Sequence, residues 1–167
     1  MGKESRFIIA IYVENKAGVL TRVSGMFTRR AFNIDALTVG ETDDPNFSRI
    51  TITLKGDEYL REQIINQLRK IHNVKKVDVL EEGCIQRQLM LLKVSYDSST
   101  RAEILAATEV YRAKVIDYTA SEMCIEVTGD PSKIDAFIAL MKPFGILEMC
   151  RTGIVALERG AKTLLNK

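Results

Sequence analysis

The sequence predicts an α+β protein built from two β-α-β-β-α-β modules in tandem, and three observations predict it. Apolar runs of strand length, rich in β-branched and aromatic residues, alternate with segments whose apolar positions recur at helical spacing. Clusters of turn formers separate them. From the Gly129-Asp130-Pro131 helix entry, which repeats Gly56-Asp57, a constant offset of 73 positions lays the buried pattern of one half over the other: Ile64 on Phe137, Ile65 on Ile138, Leu68 on Met141, Ile71 on Phe144, Val74 on Leu147.

The elements follow in order. Phe7 to Val13 is an unbroken apolar run and reads as a strand. Val19, Val23, Met26 and Phe27 then mark one side of a helix whose other side carries Thr21, Arg22 and Arg29. Ile34 to Gly40 reads as a second strand, and Thr42-Asp43-Asp44-Pro45-Asn46 as a hairpin turn. From Ser48 to Leu54, apolar Ile50, Ile52 and Leu54 alternate with Arg49, Thr51 and Thr53, the pattern of a strand with one packed and one open face. Asp57 is a suitable N-cap for a helix through Ile64, Ile65, Leu68 and Ile71, and Val74 to Leu80 closes the module as a fourth strand. Glu81-Glu82-Gly83 breaks the pattern. The expected division is therefore 1–81 for the first module, 82–86 for a linker and 87–167 for the second. In that second module, strands are expected at Leu89 to Tyr96, Val115 to Tyr118 and Cys124 to Val127. Ser98-Ser99-Thr100 caps one helix, and Asp130-Pro131 opens the other. The tail from Arg159 is expected to fray or form a short helix. The whole is two ferredoxin-like modules.

The first strand is apolar on both sides: Phe7, Ile9, Ile11 and Val13 on one, Ile8, Ala10 and Tyr12 on the other. With both helices on one face of the sheet, something must cover the other, whether the second module, a second copy or another protein. A symmetric dimer meeting near the Asn15–Gly18 turn is the expected cover.

That turn is the point of chemical interest. Gly18 stands where a strand gives way to a helix, so backbone N–H groups there lack partners and the helix dipole adds positive character. A small carboxylate suits such a place. Asn15 offers a carboxamide beside it and Asn33 another beyond the helix. On residue chemistry alone, Gly18 reads first as an ordinary turn glycine, and both asparagines equally as turn residues.

Composition removes several classes. In 167 residues, 46% hydrophobic and 28% charged residues are ordinary for a folded domain, and a net charge of +2 without like-charge blocks offers no field for nucleic acid or anionic membrane. No run reaches transmembrane length, Met1 to Arg6 reads as the lead-in to a strand and is not expected to be a signal peptide, and Gly2 lacks a myristoylation context. The expected location is cytoplasmic. Cys84, Cys124 and Cys150 lack a paired short spacing, so neither a disulfide framework nor a zinc site is expected. His72 is the single histidine, which removes most catalytic and metal-binding triads.

Val13-Glu14-Asn15-Lys16-Ala17-Gly18-Val19-Leu20, Arg22-Val23, Phe32-Asn33-Ile34 and Leu37-Thr38-Val39 resemble the ACT domain of acetolactate (acetohydroxyacid) synthase regulatory subunits. Thr42-Asp43-Asp44-Pro45 and Ser48-Arg49-Ile50-Thr51 continue the likeness. So do Glu109 to Ala113, Ile116-Asp117, Gly129, Lys133 to Phe137 and Arg151-Thr152-Gly153, covering nearly the whole chain. The resemblance implies a non-catalytic subunit in branched-chain amino acid biosynthesis. Such a subunit activates a catalytic large subunit and makes it sensitive to valine (sometimes leucine or isoleucine). Thiamine diphosphate, Mg and FAD are then expected in the catalytic partner, and no cofactor, metal or catalytic residue in this chain. It also implies a homodimer with the effector between two ACT domains. One side is expected to offer Asn15, Ala17, Gly18, Val19 and Leu20, with the Val19 and Leu20 amides on the carboxylate. The other is expected to offer Asn33 and Ile34. An ACT-type regulator of another metabolic enzyme is the alternative.

Rival functions of the same topology are less well supported. RNA-binding domains place stacking aromatics on central strands, where this chain has Thr51 and Thr53. Small metal chaperones need a Cys-x-x-Cys that is absent. A stand-alone enzyme lacks a phosphate loop or a nucleophile–base pair.

Overall fold

The computed structural model describes residues 5–166. Gly2 and the start of the chain, for which neither a leader nor lipidation is expected, lie outside the described residues, as does position 167. The first module comprises β1 (Ser5–Glu14), α1 (Val19–Arg29), β2 (Ala36–Glu41), β3 (Phe47–Gly56), α2 (Glu58–Leu68) and β4 (Val74–Val79). Its antiparallel sheet runs β2-β3-β1-β4. The second comprises β5 (Ile85–Ser95), α3 (Arg101–Val110), β6 (Lys114–Tyr118), β7 (Glu122–Gly129), α4 (Pro131–Met141) and β8 (Ile146–Arg151), in the corresponding order β6-β7-β5-β8. These are two βαββαβ modules of ferredoxin-like topology, the α+β class expected.

Each module buries one face of its sheet under two helices. In the first, Ile9, Ile11, Ile50, Ile52 and Leu54 pack on Val23, Phe27, Ile64 and Leu68. In the second, Met90, Leu92, Val94, Ile125 and Val127 pack on Ile104, Ile134, Phe137 and Met141. Two helix starts are secured as expected: Asp57 Oδ1 accepts from the Leu60 N–H at 2.8 Å, and Asp130 Oδ1 from the Lys133 N–H at 2.9 Å. At α3 the N-cap position is Thr100, within the expected trio, but no side chain caps the helix, and Asp97 orders the turn before it. Asp97 Oδ1 takes the Ser99 and Thr100 amides at 2.8 and 2.9 Å. With the Ser99 hydroxyl, those bonds hold the Asp97 carboxyl down at about 2.

The 73-residue correspondence holds from the Gly56-Asp57 and Gly129-Asp130 helix entries through α2 and α4 and fails at the last strand. Val13 faces Val74 in the first sheet and Val94 faces Ile146 in the second, so the counterpart of Val74 is Ile146 and the offset there is 72. Leu147 is 55% exposed. A 3-10 turn at Lys142–Phe144 connects α4 to β8 and shortens the link by one residue.

The larger correction concerns the second face of the first sheet. The compact units are residues up to Ile85 together with those from Gly153 onward, and Gln86–Thr152. The expected second module, 87–167, thus loses its last residues to the first unit. The reason is apolar burial: Ile154 and Ala156, on either side of the start of β9 (Val155–Leu157), and Leu164 pack against Ile8, Ala10, Leu80 and Cys84. Thr51 and Thr53, expected on an open face, are only 4% and 2% exposed. The two-sided apolarity of β1 is satisfied by the chain's own carboxy-terminal segment, so it is no argument for a dimer. From Arg159 to Asn166 the described chain is irregular and forms no helix, and it is tied to the first unit. Arg159 Nε donates to the Gly83 carbonyl at 2.7 Å, and Lys162 pairs with Glu81 at 2.8 Å.

Candidate effector site

The strand-to-helix turn after β1 is built around Gly18. Its φ of 80° and ψ of −5° lie in the left-handed region, where a side chain is disfavoured, and no side chain caps α1. Arg22 N–H returns to the Gly18 carbonyl at 3.0 Å to begin the helical ladder. The Val19 N–H, expected to face a ligand, turns back on the Lys16 carbonyl at 3.3 Å, and its side chain is buried in the core. Leu20 and Thr21 follow as the next two amides, whose intrahelical acceptors would lie before the helix begins. The amide pair at this helix start is therefore Leu20 and Thr21, one residue later than the sequence suggested.

The charges around the turn favour an anion. Glu14, at the end of β1, pairs with Lys75 at 2.6 Å and Lys16 at 3.0 Å and accepts from Asn73 Nδ2 at 2.8 Å. The Lys75 bond, then those from Asn73 and Lys16, hold its carboxyl at about 2. Asn73 Oδ1 accepts in turn from Arg22 at 2.7 Å. One neutralised carboxylate thus stands among three cations, with the positive end of α1 beside them. Glu14, Arg22, Asn73 and Lys75 were not among the expected site residues. Glu14 and Arg22 lie in the motif around the turn without a stated role, and nothing in the sequence marks Asn73 and Lys75, which reach the turn only through the pairing of β4 with β1.

The remaining expected residues fall in different places. Asn15 Nδ2 donates to Glu41 Oε1 and to the Pro45 carbonyl, each at 3.0 Å, and its N–H to Asn46 at 2.7 Å. It fastens the β2–β3 hairpin, leaving its carboxamide oxygen for an incoming donor. Ala17 and Leu20 are exposed. Asn33 lies beyond the other end of α1, with a 3.5 Å contact to Asp35, and Ile34 packs partly against the core. The eleven residues of α1 separate the two groups by about 16 Å at 1.5 Å per residue. One chain does not bring them together. Among the described residues no group of three or more His, Cys, Asp or Glu side chains could hold a metal, and no helix is long and apolar enough to cross a membrane.

The paired modules and the glycine-started helix define the class of protein: residues 9–76 match the family described as the AHAS small subunit-like ACT domain. Residues 87–160 match the small subunit of acetolactate synthase. The chain is 47% identical to a probable acetolactate synthase small subunit of Archaeoglobus fulgidus, over 92% of this chain and 97% of the relative. It is 40% identical to the acetolactate synthase isozyme 3 small subunit of Escherichia coli, over 95% and 99%. The crystal structure of the acetolactate synthase small subunit from Thermotoga maritima superposes with a TM-score of 0.88 at 38% identity, covering 95% of this chain and 99% of that one. The chain belongs to the acetolactate synthase small-subunit family.

Proposed function

We propose that this chain is the regulatory subunit of acetolactate synthase in branched-chain amino acid biosynthesis. It binds the catalytic large subunit, raises its activity, and imposes feedback inhibition by valine. It carries out no chemistry itself; thiamine diphosphate, Mg and FAD belong to the large subunit. It works in the cytoplasm, a compartment that suits its three free cysteines.

The observation that carries the effector reading is the Gly18 turn, where the Leu20 and Thr21 amides stand among Lys16, Arg22 and Lys75. The amino acid's carboxylate rests there, its ammonium on the Asn15 oxygen, and its branched side chain beside Ala17 and Leu20. Asn33 and Ile34 complete the pocket from a second copy. The argument for a homodimer is the helix length: a free amino acid spans a few ångströms and cannot touch both ends of α1 in one chain. Two copies meeting along sheet edges near the Asn15–Gly18 turn would supply both halves.

Gly18→Asp tests the site in the complex with purified large subunit. A fixed carboxylate at the helix start is expected to abolish valine inhibition while leaving activation in place. Unchanged valine sensitivity would refute the placement, and turnover of pyruvate by this chain alone would refute the regulatory reading. Calorimetry with valine, leucine and isoleucine identifies the effector.

A further inference from the structure

The return segment from Gly153 to Glu158 has no part in the site above, yet it lies against the strand that leads out of it. Resting on the effector reading, we propose that this segment couples occupation of the effector site to the second module, with Gly153 on β2 as the transmitting contact.

Four observations support the coupling. A Cβ on Gly153 would lie 2.8 Å from the Leu37 carbonyl oxygen and clash with the Thr38 hydroxyl, so only a hydrogen fits against β2 there. Thr38 Oγ1 is itself buried with no hydrogen-bond partner, which leaves this contact poised for a rearrangement that would satisfy it. β2 is an edge strand, held by β3 alone, and its first residues follow directly on Asn33-Ile34-Asp35. A ligand that moves those three residues moves Leu37 and Thr38 with them. Finally, the segment is gripped along its length. Arg49 Nη2 donates to the Ala156 carbonyl at 2.9 Å, and the Glu81 N–H to Glu158 Oε1 at 3.1 Å.

The covalent path onward is one peptide bond. Thr152 precedes Gly153 and closes the second module, its N–H on the Leu89 carbonyl at 2.9 Å and its carbonyl on Gln88 Nε2 at 3.0 Å. Arg151 is tied to Gln88 and Asp135. A shift of Gly153 therefore pulls on residues held firmly inside the second module, and a two-state contact biased by the ligand meets the physical requirement for allostery.

Hydrogen exchange on the full chain, with and without valine, tests this. In the wild type, valine is expected to slow exchange over 15–21 and change it within 86–152. Gly153→Ala is expected to keep the first effect, with valine affinity by calorimetry within about tenfold, and to lose the second. Arg49→Gln, which loosens the segment without adding bulk to β2, is expected to behave the same way and decides the matter if Gly153→Ala does not fold. An undiminished response in 86–152 in the folded variant, or none in the wild type despite slowing over 15–21, overturns the coupling and leaves the site intact. Absence of any slowing over 15–21 with valine, leucine or isoleucine overturns the effector reading instead, and the coupling with it.

Discussion

Gly18 illustrates how one residue can be legible as a position and only partly legible as a site. Its place between an apolar strand and an amphipathic helix is plain in the sequence, and the left-handed φ explains why glycine stands there. Gly18→Ala keeps the space open, since nothing lies within 4 Å of the added Cβ, but it must adopt that φ. We expect a loss of about 1 kcal/mol of stability, read from denaturant melts. Which amides face outward is decided by the bend of the turn. Of the sequence-based pair, Val19 bends its N–H back on the Lys16 carbonyl, which leaves Leu20 and Thr21 at the helix start. Glu14 carries a pH dependence that the sequence did not reveal. Its carboxyl is held at about 2, against 4.5 for an unrestrained one, by Lys75, Asn73 and Lys16. The stabilisation is fully present above pH 4.5 and is lost as the pH falls towards 2. Melts between pH 6 and 2.5 are expected to show a smaller acid-induced loss in Glu14→Gln than in the wild type.

At the scale of elements, helices are more legible in the sequence than strands, because capping chemistry and apolar spacing are local. Asp57 and Asp130 cap as expected, and Asp57→Ala or Asp130→Ala is expected to cost about 1 kcal/mol each by equilibrium unfolding. Phe137, fully buried under the second sheet, should cost about 3–5 kcal/mol as Phe137→Ala. Strand faces depend on what comes to rest on them. The alternation in β3 marked Ile50, Ile52 and Leu54 as core, yet it could not say that Thr51 and Thr53 would also be covered. The change of offset from 73 to 72 is not encoded locally for a related reason. Leu147 and Ile146 are both apolar, and only pairing with Val94 shows which one faces the core.

Over the whole molecule, the carboxy-terminal segment is a part of the first unit. A chain ended after Thr152 is expected to expose Ile8, Ala10 and Tyr12. The first unit should then melt earlier and bind a hydrophobic dye, and an unchanged melt would show that the segment contributes nothing. The effector reading adds an assembly effect. If valine bridges two copies, sedimentation is expected to show the dimer tightening as valine is added, by mass action on the assembled form.

By itself the sequence determined the two-module plan, the helices with their caps, the glycine at the start of α1 and the family, because these rest on local spacing and on motifs contiguous in the chain. The tertiary structure alone decided what covers the second face of β1, which cations gather around Glu14, and that the halves of the expected pocket lie at opposite ends of one helix. Those facts depend on contacts between residues far apart in sequence, such as Ile8 with Ile154 and Glu14 with Asn73, and no local pattern encodes which distant partner arrives.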